Sequence, residues 1–230
     1  TTLTTHHAFF VKELLKTNNE VDVFVEKKKT FKKYKIDHKI DKKISDFEKK
    51  KCFRDNKKFL ISFNKLSEYK NFNSKQFVKI LTRKKYKIVF VFGTGRIKNK
   101  IIELFKNCIY NFHGGNPESF RGLDSIYWSI FHNRFNEIVT TLHKLDRNFD
   151  TGKIFMTRKI PIKKKMKFHQ LRYYNTINCV NLSKLLISKI QNKKKIPLSR
   201  QKKIGIYYSA MPTELKTYCI KKFETYSKKR

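Results

Sequence analysis

Asn111 and His113, with Asp150 in a later polar loop, are the side chains of this sequence best suited to chemistry. Asn111 and His113 alternate within 111–122 (NFHGGNPESFRG), so on an extended chain they point to the same side. An amide N–H and an imidazole side by side can hold a carbonyl oxygen as negative charge develops on it under nucleophilic attack. A carboxylate beside them can orient the imidazole or take a proton from an attacking amine. Gly114, Gly115 and Gly122 allow a ligand to approach the backbone closely. Taken singly, each of these residues has an ordinary reading. An Asn at a strand end caps or turns, a lone His is a satisfied structural residue, and an Asp before Thr-Gly forms a turn. His143 on an alternating strand reads as structural, Arg121 as either a loop brace or an anion contact, and His6 and His7 as surface helix residues. The GTG at 93–95 is an incomplete dinucleotide fingerprint.

The elements that must position these residues follow from periodicity. Residues 5–18 carry Phe9, Phe10, Leu14 and Leu15 at helical spacing, and 21–26 is a short β-branched run. The Lys-rich stretch 27–51 reads as an exposed, poorly constrained insertion, with an amphipathic helix over 44–57. A helix is expected over 72–83, a doubly buried strand over 86–92 (YKIVFVF), a helix over 97–105 and a buried strand over 108–112. This helix–strand alternation is that of a parallel sheet with crossover helices. Residues 125–131 read as helix, 137–145 and 153–162 as strands joined by the loop 146–152, and 168–191 as a long helix. Residues 205–212 (GIYYSAMP) read as extended, before a last helix over 213–226. An α/β domain usually opens on a strand and this chain opens on a helix, so a first strand is expected outside it. In such sheets ligands bind beyond the carboxyl ends of the strands, which is where 93–97 and 111–113 fall.

Composition bounds the rest. A chain of 230 residues makes one domain, or one with a short appendage. The formal net charge of +37 would ordinarily point to nucleic acid. Here the cations are mostly Lys, accompanied by abundant Ile, Asn, Phe and Tyr, which is the bias of an AT-rich coding sequence, whereas base readout favours Arg. A non-catalytic nucleic-acid-binding protein is the competing class, and it gives no reason for the Asn111, His113 and Asp150 spacing. The four cysteines, Cys52, Cys108, Cys179 and Cys219, form no CxxC pair and suggest neither a disulfide framework nor a metal site. No apolar run is long enough for a membrane span and no signal peptide is seen, so a cytoplasmic setting is expected.

The N-x-H of 111–113, the Arg121-Gly122 that closes its loop, and the D-x-G of 150–152 in TTLHKLDRNFDTGKI together resemble the folate-dependent formyltransferases. That family includes glycinamide ribonucleotide, methionyl-tRNA and sugar-nucleotide N-formyltransferases, and the resemblance covers roughly 86–162. It implies a Rossmann-like three-layer α/β/α fold with a mostly parallel central sheet. Residues 1–165 would form the catalytic domain and 166–230 a mainly helical extension packed on it. It implies that Asn111 and His113 hold the formyl oxygen, and that Asp150 orients His113 and assists proton transfer from the amine. Gly93, Arg96 and Ile97 would border the folate pocket, with Asp146 in the loop that closes its other side. The co-substrate would be 10-formyltetrahydrofolate, with no metal; the partners would be that folate and a small amine, with no nucleic acid and no membrane, and a homodimer is allowed. Many members read H-x-S-L-L-P after the catalytic His, where this chain has His113-Gly114-Gly115-Asn116-Pro117. The mainly helical 65 or so residues after Ile162 leave no room for the β-barrel that tRNA enzymes append. An amino sugar on a nucleotide is therefore the expected acceptor, with glycinamide ribonucleotide the alternative.

Overall fold

The computed structural model describes residues 1–27, 38–54, 57–66 and 68–230. Its centre is a four-stranded sheet in the order β3 (Val89–Val91), β4 (Ile109–His113), β6 (Val139–Lys144), β7 (Ile154–Lys159). β3 and β4 are parallel and joined through helix α5 (Asn99–Leu104), because a parallel pair needs a crossover. Their register sets Val91 beside Asn111, so the loop after β3 and the end of β4 share one edge of the sheet, as the sequence implied.

Alternation along β4 divides the molecule into layers. Tyr110 and Phe112 face the core built by α1 (Thr5–Leu15) and α7 (Leu171–Gln191). Ile109 faces the opposite core, built with α4 (Lys75–Thr82) and α5. Asn111 and His113 share Ile109's side of the strand. Ser74 caps α4, its hydroxyl oxygen accepting from the Phe77 N–H at 3.2 Å.

The α/β layering agrees with the sequence reading, but the central sheet is mixed rather than mostly parallel: β4–β6 and β6–β7 are both antiparallel. For β6–β7 the reason is local. The polar loop 146–152 is too short for a crossover and turns β6 directly back into β7. Two further parallel pairs lie outside this sheet, β1 (Val25–Glu26) with β2 (Glu68–Tyr69), and β5 (Phe120–Gly122) with β8 (Ile206–Tyr208).

The Lys-rich stretch 27–51 is only partly the exposed insertion expected, since the helix expected over 44–57 is present and begins earlier, at Ile40. Residues 28–37 lie outside the described residues, but α2 (Ile40–Phe53) is an ordered helix with Ile40, Ile44, Cys52 and Phe53 buried. Glu48 of α2 is fully buried and forms a two-pronged pair with Arg172 of α7, at 2.6 Å to Nε and 2.8 Å to Nη2. A short helix, α3 (Lys57–Asn64), follows and adds Phe63 to the α1 side of the core. On the far side, α6 (Ser125–Phe131) and α8 (Thr213–Lys228) close a second apolar cluster around Ile130, Met211 and Phe223.

Candidate active site

Asp150 is the centre of the site. Its loop reaches back from β6 to the end of β4, and the residue sits at φ +55°, a left-handed conformation that Asp tolerates better than most. One carboxylate oxygen, Oδ1, accepts from the Asn111 side-chain amide at 3.3 Å and lies 3.4 Å from His143 Nε2. The other, Oδ2, accepts the Gly122 backbone N–H at 2.8 Å and lies 3.5 Å from His113 Nδ1. Three residues singled out from sequence, Asn111, His113 and Asp150, thus meet.

The two imidazoles are held by their outer nitrogens. His113 Nε2–H donates to the Phe120 carbonyl at 2.7 Å, and His143 Nδ1–H donates to the Lys144 carbonyl at 2.8 Å. These bonds hold one nitrogen of each ring outward, so the other faces an Asp150 oxygen. Burial lowers the pKa of His113 and neighbouring His143 lowers it further, against the opposing pull of Asp150 and the Phe120 bond. Burial alone would raise Asp150, but the two histidines and the Gly122 N–H outweigh it and hold the carboxyl well below the usual carboxylate range. The result is an anionic carboxylate held between two imidazoles, an arrangement in which one proton can be shared between ring nitrogen and carboxylate oxygen.

β5 supplies both the Phe120 carbonyl and the Gly122 N–H, and β8 pairs alongside it. Gly122 has φ +87°, and a Cβ there would collide with the Tyr208 carbonyl oxygen. Arg121 is a brace, its Nε–H donating to the Gly205 carbonyl at 2.6 Å and Nη1 to the Phe149 carbonyl at 3.0 Å. Gln201 completes the tie, donating to the carbonyls of Asp150 at 2.8 Å and Gly152 at 3.0 Å. The Gly-rich loop after His113 is also ordered: the Gly115 carbonyl accepts from Thr141 Oγ1 at 2.8 Å, and the Pro117 carbonyl from the Gly205 N–H at 3.2 Å.

The residues expected at the folate pocket lie nearby but do not converge in the same way. Gly93 has φ +69° and makes the turn out of β3. Arg96 donates to the Arg147 carbonyl at 3.2 Å and stacks its guanidinium 4.9 Å from the centre of the Phe149 ring, so it joins the β3 loop to the loop carrying Asp150. Ile97 packs on the α4–α5 core. Asp146 is turned into its own loop, where Oδ2 accepts from Thr151 Oγ1 at 2.6 Å and Oδ1 is a buried atom without a hydrogen-bond partner.

Two contributors escaped the sequence reading. His143 was read as structural, yet it stands directly opposite Asn111 in the β4–β6 register and within 3.3 Å of its amide nitrogen. Glu26, buried at the end of β1, accepts the Gly95 N–H at 2.6 Å and fixes the turn after β3. The pattern T-x-H preceding the loop was visible, but only the antiparallel register shows that His143 faces Asn111.

No protein-family model matches the sequence, and comparison with curated proteins gives no match. Solved structures do resemble it. A 4-N formyltransferase from Francisella tularensis superposes with a TM-score of 0.61 at 18% identity, over 90% of this chain and 74% of that one. The formyltransferase PseJ from Anoxybacillus kamchatkensis, solved with UDP-4,6-dideoxy-4-formamido-L-AltNAc and tetrahydrofolate, gives 0.52 at 22% identity over 66% and 78%. The N-formyltransferase from Helicobacter canadensis, solved with folinic acid and dTDP-3-aminofucose, gives 0.53 at 19% identity over 90% and 68%. At these identities the likeness is one of fold, and it establishes that this chain has the α/β fold of the N-formyltransferases.

Proposed function

We propose that the chain moves a formyl group from 10-formyltetrahydrofolate to the primary amine of an amino sugar carried on a nucleotide, with residues 1–165 as the catalytic domain and 166–230 packed on it. The observation that carries this reading is the placement of the Asp150 carboxylate between His113, His143 and the Asn111 amide at the carboxyl end of β4. Asn111 makes two contacts of 3.3 Å, longer than the usual N–H···O distance of about 2.9–3.0 Å, so its amide can turn to a substrate oxygen at little cost.

In this mechanism the Asn111 N–H stabilises the oxygen as the amine attacks, and the His113 ring borders the formyl carbon. The proton lost by the amine is received at the His113–Asp150 contact and passes to N10 of the folate as the bond between N10 and the formyl carbon breaks, which releases tetrahydrofolate. His143 holds the other carboxylate oxygen, so Asp150 keeps its orientation when His113 takes up charge. Arg96, which joins the loop after β3 to the loop carrying Asp150, supports placing the folate on the side of Gly93, Arg96, Ile97 and Asp146. The acceptor class is supported by the folds it shares with enzymes solved with UDP- and dTDP-linked sugars. The surplus of lysines draws such anionic acceptors toward the surface.

The test is incubation with 10-formyltetrahydrofolate and a panel of amines: dTDP- and UDP-linked amino sugars, glycinamide ribonucleotide and methionyl-tRNA. Tetrahydrofolate release is followed in each case. Turnover confined to amino-sugar nucleotides supports the proposal. Turnover with glycinamide ribonucleotide alone moves the acceptor class, and no turnover with any amine refutes the activity.

A further inference from the structure

The carboxylate of Asp150 is held inside the site, but its place there depends on the main chain that carries it. That chain is sharply bent. Asp150 is left-handed at φ +55°, and two residues later a Cβ on Gly152 would collide with the Lys144 carbonyl. A non-glycine residue keeps such a conformation only where its surroundings hold it. The side chain of Gln201 spans the bend, its Nε2 donating to the Asp150 carbonyl at 2.8 Å and to the Gly152 carbonyl at 3.0 Å. Both neighbours are acceptors, which settles the orientation of the amide. Its Oε1 is a buried atom without a hydrogen-bond partner among the described residues, so Gln201 serves here as a donor alone.

Gln201 belongs to a segment, residues 199–208, that straps both loops of the site. At one end Ser199 exchanges two backbone bonds with Ile154 of β7, at 2.8 and 2.9 Å. Beyond Gln201, the Lys202 N–H donates to Glu118 Oε1 at 2.6 Å and the Ile206 N–H to the Ser119 carbonyl at 3.1 Å. The Tyr208 carbonyl accepts the Leu123 N–H at 2.9 Å. A Cβ on Gly205 would meet the backbone of Pro117 and Ser119, so the strap lies flat on the loop that supplies the Phe120 carbonyl and the Gly122 N–H. Its contact with the Asp150 bend is the Gln201 amide.

We propose that Gln201 is a positioning residue of the formyl-transfer site: by donating to the two carbonyls of the bend it sets the distance from Asp150 to His113 and to Gly122. This rests on the formyl-transfer reading of the site. The folate end of the same loop has its own attachment, since Arg96 donates to the Arg147 carbonyl at 3.2 Å. Loss of Gln201 therefore acts on the chemical step and spares folate binding.

The experiment compares the parent chain with Gln201→Leu, which removes the donors at similar size, and Gln201→Lys, which supplies donors at similar reach. Steady-state kinetics with 10-formyltetrahydrofolate and an amino-sugar nucleotide are read alongside exchange of the Gly122 amide and of the β4 and β6 amides. In Gln201→Leu, kcat is expected to fall about 10²-fold with KM for the folate within about threefold, as for a small misplacement of a catalytic group. The Gly122 N–H, which bonds Asp150 Oδ2, is expected to exchange at least about tenfold faster while the β4 and β6 amides keep their rates. Gln201→Lys is expected to restore both kcat and Gly122 protection to within about threefold of the parent. Parent-like kcat or parent-like Gly122 exchange in Gln201→Leu overturns the proposal. So does equal acceleration of all these amides, which would give Gln201 a purely structural role, and so does failure of Gln201→Lys to restore Gly122 protection. A parent chain that turns over no amine refutes the formyl-transfer reading alone, and Gly122 exchange in the two variants then decides whether Gln201 positions Asp150.

Discussion

The backbone N–H of Gly122 donates to Oδ2 of Asp150 at 2.8 Å, and this bond couples a strand held by the C-terminal segment to the carboxylate at the centre of the site. Gly122 lies on β5, which also carries the carbonyl that orients His113. A break at one residue is thus felt by both the carboxylate and the imidazole.

Replacing Gly122 by Ala forces a side chain into a left-handed backbone and against the Tyr208 carbonyl. The expected cost is about 1–3 kcal/mol of unfolding free energy. Turnover should fall together with stability, because the Asp150 bond shifts with the strand. Urea unfolding and steady-state kinetics on the same preparation check both.

Asp150→Asn keeps the size of the side chain and removes its charge. Turnover is expected to fall by about 10³-fold or more, by analogy with other sites where a carboxylate orients a histidine. His143→Gln should cost less, since His143 touches Asp150 and not the reacting atoms in this mechanism. Rates for the two purified variants, with circular dichroism to confirm folding, test that order.

The pair Glu48–Arg172 should matter for stability and not for chemistry. Glu48→Ala removes a fully buried carboxylate and leaves a partly exposed Arg172 that water can solvate, and about 1 kcal/mol of stability should be lost. The chemical step, read in a single turnover below the melting temperature, should stay within about twofold of the parent.

Acid should weaken the fold in two steps. His113 has a folded pKa below its unfolded value of about 6.5, so the unfolded chain binds more protons and stability declines as pH falls through that value. Asp150 has a folded pKa depressed from an unfolded value of about 3.9. Its contribution is complete well above that value and is lost as pH falls below it. His113→Gln should flatten the first decline and Asp150→Asn the second, measured by urea unfolding from pH 7 to pH 3.

Much of this was legible in the sequence because it is local. The apolar run around β4 announces a buried strand, and the alternation of Asn111 and His113 puts both on one side. Asp150 was found through the D-x-G pattern in a polar loop. His143 was not, because its role depends on which residue of β4 it faces, and register is a non-local property. Glu48 failed for a different reason. A glutamate among lysines reads as part of a solvated face, and only the packing of α2 against α7 reveals Arg172 as its partner. The antiparallel half of the sheet is hidden in the same way, since the apolar pattern of a strand does not carry its direction.

The most direct test of the central claim is a single-turnover measurement of N-formyl product from 10-formyltetrahydrofolate and an amino-sugar nucleotide, comparing the parent chain with Asn111→Ala. Loss of a single oxyanion donor predicts a rate about 10²- to 10³-fold lower in the variant, with folate affinity nearly unchanged. Equal rates in the two proteins would contradict the assignment of formyl transfer to Asn111, His113 and Asp150.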